Sequence, residues 1–386
     1  MESFMLIQPS SLGLYIHIPW CVKKCPYCDF NSHQQQGELP EDDYVAALLK
    51  DLEQELKLLD NPSLSSIFIG GGTPSIFSAT AIKTLLDGVR HRIPFDDEIE
   101  ITLEANPGTV EQEKFSGFRA AGINRLSIGI QSFNDIHLAK LGRIHDAAQA
   151  AAAVAAAKAA GFDNFNIDLM HGLSGQTPAE AIEDLRRAID LNPTHLSWYQ
   201  LTIEPNTVFY NTQPSLPKED ALEQIEHAGF ELLHSAGFNR YEISAFAKPG
   251  NQSQHNTNYW QFGDYIGIGA GAHGKISIGI NDEVNRRWKT RQPNDYLTKP
   301  PLAGTQLVTA KELPLEFMMN VLRLTNGVDE KLFEEKTGLP LELIAPMRNR
   351  LIAKGLMVDG SRIGTTALGF RFLDSVLNEF QTVEVI

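Results

Sequence analysis

At 386 residues, with 42 % hydrophobic content and 33 Lys+Arg against 48 Asp+Glu, the chain can bury one large core, or a large domain with a smaller one appended. The formal net charge of −15 repels nucleic acid and anionic membrane surfaces, and no Lys/Arg block reverses that sign locally. Residues 1–11 lack a signal peptide's basic start, apolar core and cleavage site, and no run approaches ~20 apolar residues, so the expected address is cytoplasmic, with no transmembrane segment and no nucleic-acid partner.

The first apolar run, Leu14-Tyr15-Ile16-His17-Ile18, has the β-branched and aromatic content of a strand. All the chain's cysteines follow at once. Cys21, Cys25 and Cys28 are spaced C-x3-C-x2-C and leave none for a long-range disulfide, which in a reducing compartment points to thiolate ligands of a metal centre. Three thiolates from one loop can hold three corners of a cubane cluster and leave its fourth iron open to a chelating amino acid. The alternative is structural zinc with His17 or His33 as fourth ligand, but a loop after the first strand of a βα series makes a poor zinc knuckle.

Further strands are expected at residues 66–69, 98–103, 125–130, 164–170 and 195–201, with helical segments between them, which makes six βα units. A weak repeat supports this. Ala121-Gly122-Ile123, Ala160-Gly161-Phe162 and Ala236-Gly237-Phe238 each end a helical stretch, where glycine suits a left-handed C-cap. The Ala-rich run 147–160 reads as a crossover helix and not as low complexity. Alternating elements imply a parallel sheet, closed or partly closed, with its chemistry at the C-terminal strand ends. Polar residues gather at those ends: Gly70 to Pro74, Glu104 and Asn106, Gln131 and Ser132, Asp168 and His171.

Beyond about residue 205 the pattern changes to Pro- and Asn-containing loops, a helix at 221–236 and a glycine-rich segment at 263–274. Helices at 315–324, 329–337 and 341–354, then residues 355–358 and a turn at Asp359-Gly360, read as a small winged-helix-like α+β domain. Nine basic against eleven acidic residues from Thr309 onward argue against DNA binding there.

The stretch Tyr15-Ile16-His17-Ile18-Pro19-Trp20-Cys21-Val22-Lys23-Lys24-Cys25-Pro26-Tyr27-Cys28 resembles the radical SAM signature of the oxygen-independent coproporphyrinogen III oxidase-like branch, and the resemblance covers nearly the whole chain. It implies a TIM-like partial (β/α)6 barrel carrying a [4Fe-4S] cluster on Cys21, Cys25 and Cys28, with S-adenosylmethionine (SAM) on the open iron. The implied division is a barrel at 1–205, a barrel extension at 206–310 and a C-terminal domain at 311–386. Tyr27, before the last cysteine, takes the place of the family's adenine-side aromatic residue, and Tyr15 joins it as an expected SAM contact. Gly70-Gly71-Gly72-Thr73-Pro74 lacks the Lys-Ser/Thr of a phosphate loop; the resemblance implies that Gly71, Gly72 and Thr73 expose backbone to the methionine amino group. Glu104, Gln131, Arg143 and Asp168 match further SAM-contacting positions. Singly, each suits a surface or cap residue equally well; physically, a guanidinium fits the carboxylate, and carboxylates and an amide fit the amino group and ribose hydroxyls.

His255-Asn256-Thr257-Asn258-Tyr259-Trp260 resembles the HNxxYW motif of the branch's haem-chaperone members. It implies His255 as a haem ligand, although on residue chemistry alone a histidine hydrogen-bonded within the core is the plainer reading. His17, His171 and His273 are other candidate ligands. The oxidases of the branch carry a fourth cysteine two positions after the third, where this chain has Phe30 after Asp29, and a longer N-terminal segment, where only fourteen residues precede Tyr15. The expected function is therefore haem binding and transfer to acceptor proteins, respiratory and membrane-associated ones among them, by a monomer or a homodimer. Coproporphyrinogen III oxidation, or another radical SAM reaction, is the alternative; no catalytic residue is assigned.

Overall fold

Six parallel strands with helices between them carry the architecture: β1 (Leu12–Ile18), β2 (Leu64–Gly71), β3 (Phe95–Ala105), β4 (Arg125–Gln131), β5 (Phe165–His171) and β6 (His195–Gln200). This computed structural model describes residues 12–278 and 283–381, without the side chains of 109–113 and 278; residues 1–11, considered above for targeting signals, lie outside it. Each expected strand is present, and the second and third run longer than their apolar runs because Leu64 pairs with Phe95 at one end, and Gly70 and Gly71 pair with β1 and Glu104 and Ala105 with β4 at the other.

Alternation decides which side chains meet the helices and which meet the barrel interior. On β1, Leu14, Ile16 and Ile18 are fully buried in the main core, beneath the helices, while Tyr15 and His17 line a cavity on the opposite face. Register places Tyr15 beside Phe68, Glu104 beside Ser127, and Gly129 beside Asp168, so polar groups share the inner face. The helix Ala147–Ala159 begins with a reciprocal capping box between Asp146 and Gln149. Gly122, Gly161 and Gly237 take left-handed conformations (φ 111°, 83° and 83°), as the repeat suggested.

The sheet continues well past six strands. Along the open edge of β1 come β9 (Asp264–Ile268), parallel to it, and then the antiparallel β10 (His273–Ile278), β11 (Glu283–Lys289) and β12 (Leu302–Leu307). Beyond β6 lie β8 (Ala245–Ala247) and β7 (Asn239–Arg240), giving a 12-stranded sheet in the order β12-β11-β10-β9-β1-β2-β3-β4-β5-β6-β8-β7, which does not close. The glycine-rich segment is thus two strands and their turn. A Cβ on Gly267 would lie 1.9 Å from the His273 carbonyl oxygen, so the close crossing requires glycine.

A buried charge cluster holds this extension to the first crossover helix, Glu41–Leu56. Lys289 Nζ lies 2.5 Å from Asp51 Oδ1 and 2.6 Å from Glu55 Oε1, Arg287 Nε donates to Glu55 Oε2 at 2.8 Å, and the Tyr296 hydroxyl donates to Asp51 Oδ2 at 2.7 Å. Removing one member of such a buried set leaves uncompensated charge, at a cost of about 3–5 kcal/mol.

The helix Gln254–Trp260, which carries the HNxxYW residues, closes the end of the barrel away from the cysteines. The Glu100 carboxylate accepts from Ser253 Oγ (3.2 Å), Gln254 N (3.1 Å) and His255 N (3.3 Å), an acid at a helix N-terminus, and Arg125 Nε pairs with the same group at 3.7 Å. On its far side Trp260 packs against the C-terminal core, with the Arg323 guanidinium 4.2 Å from its ring. That core gathers Phe317, Val321, Phe333, Ile344 and Leu351 from the helices Leu313–Val321, Lys331–Thr337 and Ala345–Ala353 and the turn before the last. A two-stranded ribbon pairs Val328–Asp329 with Arg362–Ile363 and completes the winged-helix-like unit.

Candidate functional site

The cysteine loop leaves β1 at the C-terminal mouth of the barrel and is fixed by backbone bonds. Thr73 N donates to Trp20 O (2.8 Å), Gly72 N to Ile18 O (2.8 Å) and Cys28 N to Cys25 O (3.2 Å). All three cysteines are free thiols, Cys21 buried and the others half-buried. Burial pushes the Cys21 thiol up, while hydrogen bonds from Thr73 and Ser32 oppose that shift. Cys28 Sγ lies 3.6 Å from Ser32 Oγ, and Arg143 Nη1 donates to Cys25 Sγ at 3.5 Å. The alternative zinc donor His17 has both ring nitrogens engaged: Nε2 donates to Asn31 O at 2.9 Å, and Nδ1 therefore accepts from the Tyr15 hydroxyl at 2.9 Å. Burial lowers its pKa to about 4, so this tautomer is neutral at pH 7.

Beside the thiols a cleft of about 360 Å³ is lined by Gly71, Gly72 and Thr73 from the β2 end, Glu104 near the end of β3 and Asn106 just after it, Gln131 at the end of β4, Asp168 on β5 and Tyr199 on β6, with Tyr27 and Arg143 closing it. The glycines are sterically required. At Gly72 a Cβ would sit 2.4 Å from the Trp20 carbonyl oxygen; at Gly71 φ is +117° and a Cβ would lie 2.5 Å from the His17 ring. Asn106 Nδ2 donates to Thr73 Oγ1 (2.9 Å) and accepts from Arg143 Nη2 through Oδ1 (2.6 Å), while Arg143 Nη2 also reaches Gly129 O (2.7 Å). Arg143 Nε is buried without a hydrogen-bond partner among the described residues. Gln131 adopts φ 73°, unusual for a residue with a side chain, and pairs with Leu169 just after a register shift between Gly129 and itself that skips Ile130.

Two carboxylates face this cleft. Glu104 accepts from Gly71 N at 3.0 Å, yet burial, reinforced by the nearby Asp168, raises its pKa to about 7. Asp168 is also raised by burial, although Ser127 Oγ (3.0 Å) and Asn166 Nδ2 (2.8 Å) donate to it. Burial of these carboxylates together disfavours two negative charges in the cleft, and a bound cation would relieve that cost.

Of the residues singled out in the sequence, Cys21, Cys25, Cys28, Tyr27, Gly71, Gly72, Thr73, Glu104, Gln131, Arg143 and Asp168 all line this one cleft. Tyr15 instead lines an adjoining cavity of about 430 Å³ that shares Phe30, Gly71 and Glu104 with the cleft. His255 lines neither. It is 1 % exposed, its Nδ1 lies 2.9 Å from Ser66 Oγ, its ring stacks on Phe68 at 5.3 Å, and burial lowers its pKa to about 3. Ser127 and Tyr199 escaped the sequence reading, although both sit on strands found there and the alternation from Glu104 and Asp168 would have pointed to them. The second cavity, with Tyr265, His273 and Arg291, was missed because its strands were not recognised.

Comparison with known proteins matches residues 15–188 to the radical SAM superfamily and residues 308–372 to the HemN C-terminal domain. The chain is 50 % identical over 376 residues to the heme chaperone HemW of Escherichia coli K12, covering 97 % of this chain and 99 % of that one. It is 51 % identical over 378 residues to heme chaperone HemW of Haemophilus influenzae (97 % and 98 % covered), and 38 % identical over 351 residues to that of Bacillus subtilis (89 % and 92 %). Among solved structures, the radical SAM coproporphyrinogen III oxidase HemN of E. coli superposes with a TM-score of 0.80 at 25 % identity, covering 97 % of this chain and 91 % of that chain.

Proposed function

We propose haem delivery as the work of this chain, which belongs to the radical SAM superfamily and, within its coproporphyrinogen oxidase-like branch, to the HemW proteins. It binds haem as cargo and passes it to acceptor proteins in the cytoplasm or at the inner face of a membrane; no helix among the described residues is long and apolar enough to cross one. One observation carries this reading against the oxidase alternative. At position 30, where the oxidases have their fourth cysteine, stands Phe30, 62 % exposed at the junction of the two cavities.

The residues of the mouth suit a [4Fe-4S] cluster and SAM. Cys21, Cys25 and Cys28 would hold three irons, and the bound cluster would supply an electron to the sulfonium of SAM. Arg143, with its unpartnered Nε, would take the methionine carboxylate, and the backbone of Gly71 to Thr73 would meet the amino group. Glu104 and Asp168 would hold the amino group and ribose hydroxyls, Gln131 one further polar edge, and Tyr27 the adenine side. Tyr15 acts one step back, accepted by His17 and so fixing the strand beside Gly71. His255, the ligand implied by the motif, could meet iron only if the helix Gln254–Trp260 moved out of the barrel end.

Anaerobic incubation of the reconstituted protein with coproporphyrinogen III, SAM and a reductant is expected to give no protoporphyrinogen IX, while haem binds in a spectroscopic titration. Steady protoporphyrinogen formation would replace the delivery reading with the oxidase one.

A further inference from the structure

Building on the haem-delivery reading, we propose that the cargo sits in the second cavity at the barrel mouth, with His273 as its iron ligand and Arg291 pairing with a propionate.

The histidines near the barrel differ in what their nitrogens can do. His17 spends both on Tyr15 and Asn31. His255 and His171 are 1 % and 3 % exposed, the latter with its ring 4.2 Å from that of Trp198. His273, at the start of β10, is exposed, lines the cavity, and makes no side-chain hydrogen bond among the described residues. Partial burial and the charges of Arg286 and Arg291 lower its pKa, so a neutral ring with a free lone pair faces the cavity at pH 7.

The surroundings fit a porphyrin as well. Tyr259, the tyrosine of the HNxxYW helix, reaches the cavity wall beside Tyr265, their centroids 4.1 Å apart, and Phe30 offers an exposed ring at the entrance. Such aromatic surface suits a flat macrocycle. Arg291 is exposed, and no carboxylate among the described residues pairs with it; its nearest side-chain partner is Asn31 Oδ1 at 3.5 Å. A guanidinium without a counter-ion at the rim of an aromatic cavity is matched by a carboxylate at the edge of a flat ligand. At about 430 Å³ the space lies toward the lower end of small-molecule sites, roughly 300–1,000 Å³, so part of the macrocycle remains outside, where an acceptor can reach it. The motif then acts through Tyr259 and through the plug that supports it, and His255 need not leave the core.

Titrate ferric haem into the full chain and into His273→Ala, Arg291→Glu and His255→Ala, following the Soret band and the low-spin electron paramagnetic resonance signal. His273→Ala is expected to change the band and the spin state and to weaken binding by at least about tenfold, the lower end of what losing even an outer-shell partner of a metal ligand costs. Added imidazole should restore the wild-type band. Arg291→Glu should weaken binding with the band unmoved. An unchanged spectrum and affinity in His273→Ala, with the ligand signature lost in His255→Ala, would overturn the assignment while leaving haem delivery intact. Absence of haem binding in the wild-type chain would remove both.

Discussion

Replacing Gly72 with valine is expected to weaken SAM binding by about 100-fold or more and to disrupt the cysteine loop with it. Even the first side-chain carbon would lie 2.4 Å from the Trp20 carbonyl oxygen and 2.8 Å from its carbon, and these are backbone atoms that cannot turn aside. That carbonyl accepts from Thr73 N, so relief of the clash must push apart the β2 turn and the peptide entering Cys21. Overpacking of this kind costs about 1–3 kcal/mol, and here it falls on the geometry that joins the two halves of the site. At the upper end of that range, SAM affinity measured calorimetrically on the anaerobic protein should fall by about 100-fold or more. An affinity within a factor of two of wild type would show that this turn does not form the SAM cradle.

Substituting alanine for any one of Cys21, Cys25 or Cys28 is expected to bring cluster iron and acid-labile sulfide to background after anaerobic reconstitution. The loop has no spare thiolate, because no other cysteine exists in the chain, and His17 is committed to Tyr15 and Asn31. Burial keeps Cys21 protonated in the cluster-free protein, so assembly must release its proton and is favoured as pH rises. SAM binding should be lost along with the cluster, since in the proposed site the open iron would anchor it. Ser32→Ala, which removes a hydroxyl beside Cys21 and 3.6 Å from Cys28 but no thiolate, should leave iron content unchanged and serves as the control. Full iron retention in a single cysteine variant would mean that the cluster rests on other ligands.

The legible part of this molecule is the part in which local pattern and global position coincide. Ile16 and Ile18 alternate with Tyr15 and His17 on one short strand, and that alternation already separates the helix side from the barrel side. The polar residues at successive strand ends follow from the same rule, because parallel strands present their C-terminal ends to one mouth; Glu104, Gln131 and Asp168 therefore meet in one cleft. The extension was opaque for the opposite reason. Strands β9 to β12 pair partly antiparallel and are held by Lys289 with Asp51 and Glu55, partners more than two hundred residues apart.

His255 shows where residue type stops being informative. An HNxxYW sequence reads as imidazole and aromatic rings available to a porphyrin, but on the helix Gln254–Trp260 its members point to different duties. His255 packs on Ser66 and Phe68, Tyr259 reaches the second cavity, and Trp260 meets Arg323 of the C-terminal domain. That division depends on what surrounds the helix, and no spacing within six residues contains it. The second cavity is hidden likewise, since Tyr15, Phe30, Tyr259, His273 and Arg291 come from separate segments that only the folded sheet brings together.

Transfer of haem tests the central claim most directly. The chain, reconstituted anaerobically with its cluster and SAM and then loaded with one equivalent of haem, is mixed with an apo-haemoprotein acceptor, and the acceptor's own Soret spectrum is followed against free haem at the same concentration. Haem delivery predicts that the acceptor's spectrum appears as that of the donor complex disappears, faster or more completely than from free haem. Haem that stays on the chain, or reaches the acceptor no better than from solution, would contradict the account.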